Sequence, residues 1–290
     1  MKFTNHFGIP DTVMRAIRAD NYSRGDADIS VTGLLRPAQM AALEKRYHHS
    51  LEVDARDEVW KLWGQAVHAI LERANEGQNE QRVEKRLFME IAGMTISGQT
   101  DAFDESSNTL TDYKVTTEFG SRQDKIEWEE QANCYRLLWH EAEGIDVDQL
   151  QIVAILRDWR RADAERNPDY AQAPVVTIPI KLWPLEEARD FVLQRIVAHK
   201  ETKDLPDEQL PPCTDEERWK RPITFAVKKR GGKRALRVFK TEHEAKAFLA
   251  SATGNNEIEI RGGEAIRCQS WCSVSQFCNQ WKNGEEENGK

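Results

Sequence analysis

Long hydrophobic runs are missing from this 290-residue chain: the nearest, 150–156, is already broken by Gln151, and a membrane-spanning helix needs about 18 apolar residues. The opening ten residues lack a basic stretch followed by an apolar core, so no secretory signal is visible and a cytoplasmic protein is expected. Glycine and proline are scarce, 16 and 10 residues against 39% hydrophobic and 31% charged, which excludes a fibrous or disordered chain and leaves a soluble globular protein. There is no internal repeat and no Gly-rich Lys-Ser/Thr phosphate-binding loop, so helicase motifs are absent. The length allows one large or two small domains at roughly 100–200 residues each.

Basic residues are outnumbered, 41 against 49 acidic, and the net charge of -8 argues against a protein that coats nucleic acid indiscriminately. The deficit is uneven: residues 213–240 hold ten basic and three acidic residues, a local +7 that leaves -15 for the remainder. Cysteine is also sparse, with Cys134, Cys213, Cys268, Cys272 and Cys278 making an odd five. Three crowd together near the C-terminus, which points to metal binding before disulfides.

What is present has α/β patterning. A short extended stretch precedes a helix with Pro37 in its first turn, and 57–74 has a helical apolar stripe that needs covering. Residues 82–91 and 94–103 alternate as a hairpin about Ala92 and Gly93, and 110–115 is a third strand after the turn residues 104–108. A helix over 123–143 and a β-rich run over 150–159 follow; 160–173 reads as a polar loop, 175–181 as a strand and 184–203 as a helix. The expected class is α/β or α+β, with a central mixed sheet flanked by helices. After a proline-rich linker, 223–239 forms a hairpin about Gly231 and Gly232, Thr241 and Glu244 make a capping-box pattern, 257–260 is a brief strand, and 266–281 is a loop.

Four elements carry chemistry together. Asp112 and Lys114, two apart on the third strand, put a carboxylate beside an ammonium. Asp101 ends the preceding strand within reach of Asp112 if the two pair across 104–108. Two carboxylates and the Tyr113 carbonyl suit a hard ion such as magnesium or manganese, and a lysine beside it suits phosphodiester hydrolysis. Gly64, His68 and Glu72 share a helix face, where Gly64 permits close approach to the sheet and His68 can complete the metal shell. Gln131 and Tyr135, again four apart, can hydrogen-bond a phosphate from the other side.

This set, Gly64-x3-His68-x3-Glu72, Gly98-Gln99-Thr100-Asp101, Asp112-Tyr113-Lys114 and Gln131-x3-Tyr135, resembles the RecB-like branch of the PD-(D/E)XK nucleases over roughly residues 57–160. The resemblance implies a restriction-endonuclease-like core over 57–205, after an N-terminal helical segment over 1–56. It implies a metal held by His68, Asp101, Asp112 and the Tyr113 carbonyl, with Lys114 assisting the water and Gln131 and Tyr135 organising the site. Glu84 is either an outer carboxylate or a solvent-facing strand residue.

Cys268-x3-Cys272-x5-Cys278 with the distant Cys213 is similar to the iron–sulfur staple of AddB-type and CRISPR-associated nucleases, here with a three-residue first gap and the distant cysteine after the core. The resemblance implies an iron–sulfur cluster, a 4Fe-4S, with zinc as the alternative, in a C-terminal extension over 206–282 ahead of a disordered tail over 283–290. Cys134 is expected as a buried thiol. Lys228, Lys229, Arg230, Lys233 and Arg234 at the basic hairpin are read as phosphate contacts, against the alternative of charge that blunts an exposed edge. Trp219 and Phe225 are either stacking surfaces or core. The expected function is a metal-dependent DNA exonuclease acting on DNA ends or single strands in phage-type recombination, with a recombination annealing protein as a possible partner. A CRISPR-type spacer-processing nuclease and a non-cutting DNA-binding module are the alternatives.

Overall fold

Ala92 and Gly93 both adopt positive φ, 51° and 68°, the backbone of a type I′ turn whose twist matches that of the strands it joins. In the computed structural model, which describes residues 2–19, 23–75, 81–123 and 125–287, that turn sets the register of the longest strand pair, from Ile91 with Met94 back to Gln81 with Asp104. Ahead of it come β1 (Lys2–Thr4), α1 (Asp11–Arg18), β2 (Ile29–Ser30), α2 (Val31–Leu34), α3 (Ala38–Arg46), β3 (Glu52–Asp54) and α4 (Ala55–Asn75). The hairpin is β4 (Gln81–Ile91) and β5 (Met94–Asp104). Then follow β6 (Thr109–Thr116), α5 (Glu118–Ser121), α6 (Ile126–Glu143), β7 (Gln149–Leu156), α7 (Arg161–Arg166), β8 (Val175–Ile180) and α8 (Leu185–Thr202). Together they make a first compact unit, Met1–Asp204.

The fold is α+β, built on a six-stranded mixed sheet flanked by helices. One edge of β5 pairs with β4 along its whole length. The other edge is shared: β2 runs parallel to it at Ile96 and Ser97, and β6 runs antiparallel to it from Ala102 onward. Between these the sheet forks. Parallel pairing of β6 with β7 requires a crossover, which α6 supplies, and β8 closes the far edge antiparallel to β7. Leu137, Leu138 and Trp139 of α6 are fully buried among Leu110, Leu150, Val192 and Ile196, and the Trp139 ring lies 4.5 Å from that of Phe103.

Two expectations need correction in this unit. The first 56 residues are not a separate segment: β2 belongs to the sheet, and Met14 and Ile17 of α1 are buried with Ala55 and packed by Val59 and Leu62 of α4. Residues 160–173 include the helical turn α7, because Ala164 is buried and gives the polar sequence an inner side.

The second unit, Leu205–Lys290, contains β9 (Thr224–Lys229), β10 (Ala235–Phe239), α9 (Glu242–Ser251), β11 (Asn256–Arg261), α10 (Ile266–Ser270) and α11 (Asn279–Glu287). The strand order is β10-β9-β11, and Thr241 with Glu244 forms a complete capping box on α9. The tail expected to be disordered from 283 continues α11 to Glu287, as its run of three glutamates, good helix formers, allows; residues 288–290 lie outside the described residues. Among the described residues no helix is long and apolar enough to cross a membrane.

Candidate active site

The site lies at the fork. Strand alternation should put residues five apart on opposite faces, yet a Cβ at Gly98 would stand 2.5 Å from Leu138 and 2.8 Å from Tyr135, while Phe103 packs on Trp139 of the same helix. β5 therefore changes face between them. β4 does the same opposite this point, at Glu84, whose φ of 47° is left-handed. Such backbone is costly for a residue with a side chain and is held only where surrounding contacts enforce it.

The pairs Val83 with Ala102 and Lys85 with Thr100 put Glu84 opposite Asp101; extending the Ala102–Thr111 pairing by one residue puts Asp101 opposite Asp112. A row of three carboxylates thus crosses β4, β5 and β6. The Tyr113 amide donates to Asp101 Oδ2 at 2.6 Å, across the gap the fork leaves. From α4, His68 Nδ1 lies 3.3 Å from Asp101 Oδ1 and 3.8 Å from Glu84 Oε1, and its Nε2 donates to the Tyr113 carbonyl at 3.0 Å. Hydrogen bonds to Asp101 and Glu84 raise the His68 pKa to about 10 against the effect of burial. The imidazolium stands as a cation among three oxygens.

His68, Glu84 and Asp101 offer ligand atoms that all lie within 4.8 Å of one another, close enough for one metal ion to bridge them. Of the two readings the sequence left for Glu84, the structure favours the carboxylate beside the site. Glu84 does not face solvent: its side chain is 18% exposed and also accepts from Gln99. The Ala92 and Gly93 turn held the signal, since counting back from it along both strands pairs residue 84 with residue 101.

Asp112 stands beside this triad rather than inside it. Burial raises its pKa to about 6, with Lys114 opposing. Its Oδ2 is buried and has no aligned hydrogen bond, although the Lys114 ammonium is 2.8 Å away as an ion-pair partner. Lys114 also donates to Gln131 Oε1 at 2.9 Å, and Gln131 Nε2 donates to the Tyr135 hydroxyl at 2.9 Å. Gln131 and Tyr135 thus reach the site through Lys114. Gly64 does not press on the sheet as expected, because a Cβ there meets nothing within 4 Å; Glu72 is exposed outside the group, and Cys134 is fully buried.

In the second unit Cys213, Cys268, Cys272 and Cys278 form no disulfide. Burial pushes the Cys213 thiol up to about 12, and Glu217 and the other three cysteines are near enough to raise it further. Among the described residues no three of these sulfurs approach within 4.8 Å of one another. On the basic hairpin the five cations divide. Lys228 pairs with Glu257 and Glu259 of β11, and Arg230 Nε lies 3.6 Å from Glu257, whereas Lys229, Lys233 and Arg234 are exposed with no ion-pair partner among the described residues. β9 is the central strand here, so the glutamates of β11 rather than solvent receive Lys228. Trp219 is 38% exposed under Arg267, and Phe225 is half-buried between β10 and β11.

No family model and no curated protein matches the sequence. Among solved structures the chain is similar to the crystal structure of SSO0001, with 17% identity and a TM-score of 0.46 over 70% of this chain and 93% of that one.

Proposed function

We propose that the first unit is a divalent-metal-dependent deoxyribonuclease of the RecB-like PD-(D/E)XK type, an exonuclease that hydrolyses phosphodiester bonds of DNA ends or single strands. The observation that carries this reading is the meeting of His68, Glu84 and Asp101 beside the ion pair of Lys114 and Asp112. The donors fit a hard cation: carboxylate and carbonyl oxygens already surround one positive charge, and the buried Asp112 carboxylate pairs with another. Glu84, Asp101, Asp112 and the Tyr113 carbonyl would hold magnesium or manganese, and His68 would join them on releasing its proton as the metal replaces its positive charge. Bound there, the ion supplies Lewis acidity toward the phosphate and lowers the pKa of an attacking water.

The chain's own groups do the rest. The Tyr113 amide fixes the Asp101 carboxylate, and Gln131, anchored on Tyr135, fixes the Lys114 ammonium next to Asp112. A fixed cation at that position stabilises negative charge developing on the phosphorane, and costs no reorganisation when that charge appears. A module that only binds DNA has no use for a lysine oriented in this way.

In the second unit the four cysteines would hold an iron–sulfur cluster, with zinc as the alternative. Four thiolates about 2.3 Å from one zinc stand close together; a multi-iron cluster suits sulfurs that are near but not in mutual contact. Lys229, Lys233 and Arg234 would contact phosphates.

The test is incubation of purified protein with end-labelled single- and double-stranded DNA in magnesium, manganese or chelator. Shortening of the labelled strand with metal, and none with chelator, is expected. Intact DNA under every metal condition would overturn the reading.

A further inference from the structure

The tryptophans of α4 do not join the core, although their helical spacing suggests a covered stripe. Trp60 and Trp63 are 52% and 53% exposed, with ring centroids 6.5 Å apart. Arg157 covers one face of Trp60, its Cζ 4.0 Å from the ring centroid. That arginine follows the last residue of β7, where its amide donates to the Thr116 carbonyl at 2.9 Å, two residues beyond Lys114 along β6. Lys125 joins the same cluster: burial lowers its pKa against the charge of Glu127, and the charges of Lys114 and Arg157 lower it further.

Trp60, Gly64 and His68 follow one another at four-residue steps, so they lie along one ridge of the helix. At 1.5 Å per residue the ridge runs roughly 12 Å from indole to imidazole. Between them a Cβ at Gly64 would meet nothing within 4 Å. The ridge therefore has an open notch, with an aromatic ring at one end, the candidate metal ligands at the other, and two cations, Lys125 and Arg157, nearby.

We propose that this notch is a stacking subsite for one unpaired nucleotide of the substrate strand. The base lies on the face of Trp60 that Arg157 leaves open, and the adjoining phosphates run past Gly64 toward His68 under the charges of Lys125 and Arg157. Stacking on an aromatic ring needs a base released from its pair and is tolerant of sequence. The substrate is accordingly single-stranded DNA, or the frayed end of a duplex. The cations argue for this occupant over an apolar protein segment, which would leave them without counter-charge. What happens at the phosphate rests on the nuclease reading; the binding itself does not.

The experiment is fluorescence anisotropy of a labelled single-stranded oligonucleotide in chelator, where no metal-dependent cleavage occurs. Trp60→Ala should weaken binding about tenfold, the scale of one lost base stack. Trp60→Phe should restore most of it, and Gly64→Leu, which fills the notch, should weaken it as Trp60→Ala does. A strand of abasic sites should bind wild type and Trp60→Ala alike. Blunt duplex should bind both alike as well. Single-strand binding by Trp60→Ala within about twofold of wild type, less than any base stack, would overturn the subsite, as would equal losses on blunt duplex. The two readings fail separately. Stacking through Trp60 in a protein that never cleaves would overturn the nuclease reading alone, and cleavage indifferent to Trp60 would overturn the subsite alone.

Discussion

Glu84 lies opposite Asp101 across the β4–β5 pair, and both carboxylates converge on the ring of His68. Because Glu84 adopts a left-handed backbone to do so, it is a ligand candidate of equal standing with the aspartates. Glu84→Gln keeps the hydrogen-bonding shape and removes the charge. It should raise the magnesium or manganese concentration needed for half-maximal cleavage by about ten- to hundredfold, with activity recovering at high metal. A metal titration that overlays wild type would remove Glu84 from the site.

Asp112→Asn and Lys114→Ala should each lower cleavage at least a hundredfold, the order of magnitude expected when one fixed electrostatic contact to a transition state is lost. DNA binding in chelator should hardly change, since the lost interactions act on the reaction rather than on the ground state. Single-turnover rates beside binding curves separate the two effects. Wild-type cleavage by either variant contradicts the assignment.

Gly98→Ala should destabilise the first unit. The new methyl would stand 2.5 Å from Leu138 and 2.8 Å from Tyr135, and overpacking of this kind costs about 1–3 kcal/mol. Urea denaturation measures it. The same displacement should slow cleavage, because Tyr135 anchors the Gln131 that holds Lys114.

The hairpin cations should separate into two groups. Neutralising Lys229, Lys233 and Arg234 should flatten the salt dependence of DNA binding, each lost phosphate contact reducing the slope by about 0.7–0.9. Neutralising Lys228 and Arg230 should instead lower the thermal midpoint, because it removes both cations that face Glu257 and leaves Glu259 with Arg261 alone. A salt slope unmoved by the first set returns the hairpin to a solvated surface.

Cys213→Ala and Cys272→Ala should each cost protease resistance and metal content together, since a shared metal would tie distant parts of the second unit. Anaerobically purified protein should be brown, with iron and acid-labile sulfide. Stoichiometric zinc without sulfide would replace the cluster by a single ion, and neither metal with all four thiols alkylated would remove the staple.

Much of this fold can be read from local sequence because its hairpin turns and helix periods are local. The type I′ turn at Ala92 and Gly93, the capping box at Thr241 and the crossover helix that carries Gln131 all follow from short-range chemistry. The positions of Asp101, Asp112 and Lys114 follow from strand registers that turns set. What was not legible depends on long-range packing. Glu84 looked solvent-facing because alternation assumes a regular strand, and its left-handed φ breaks that alternation at the fork. Gly64 looked like a close-packing glycine, yet the space above it is set by where α4 sits relative to the sheet. The helical segment at the N-terminus looked separable because β2 is only two residues long, too short to signal that it completes the sheet.

The crossover helix that supplies Gln131 and Tyr135 also makes the parallel alignment of β6 and β7 possible. The order of the candidate site and the chain topology are therefore assembled in one step. Until α6 has docked, Lys114 has no Gln131 to hold it, and β6 lacks the neighbour that keeps Asp112 away from water. Joining strands so distant in sequence is among the slower events in folding. A nascent or partly unfolded chain thus cannot present the assembled candidate site.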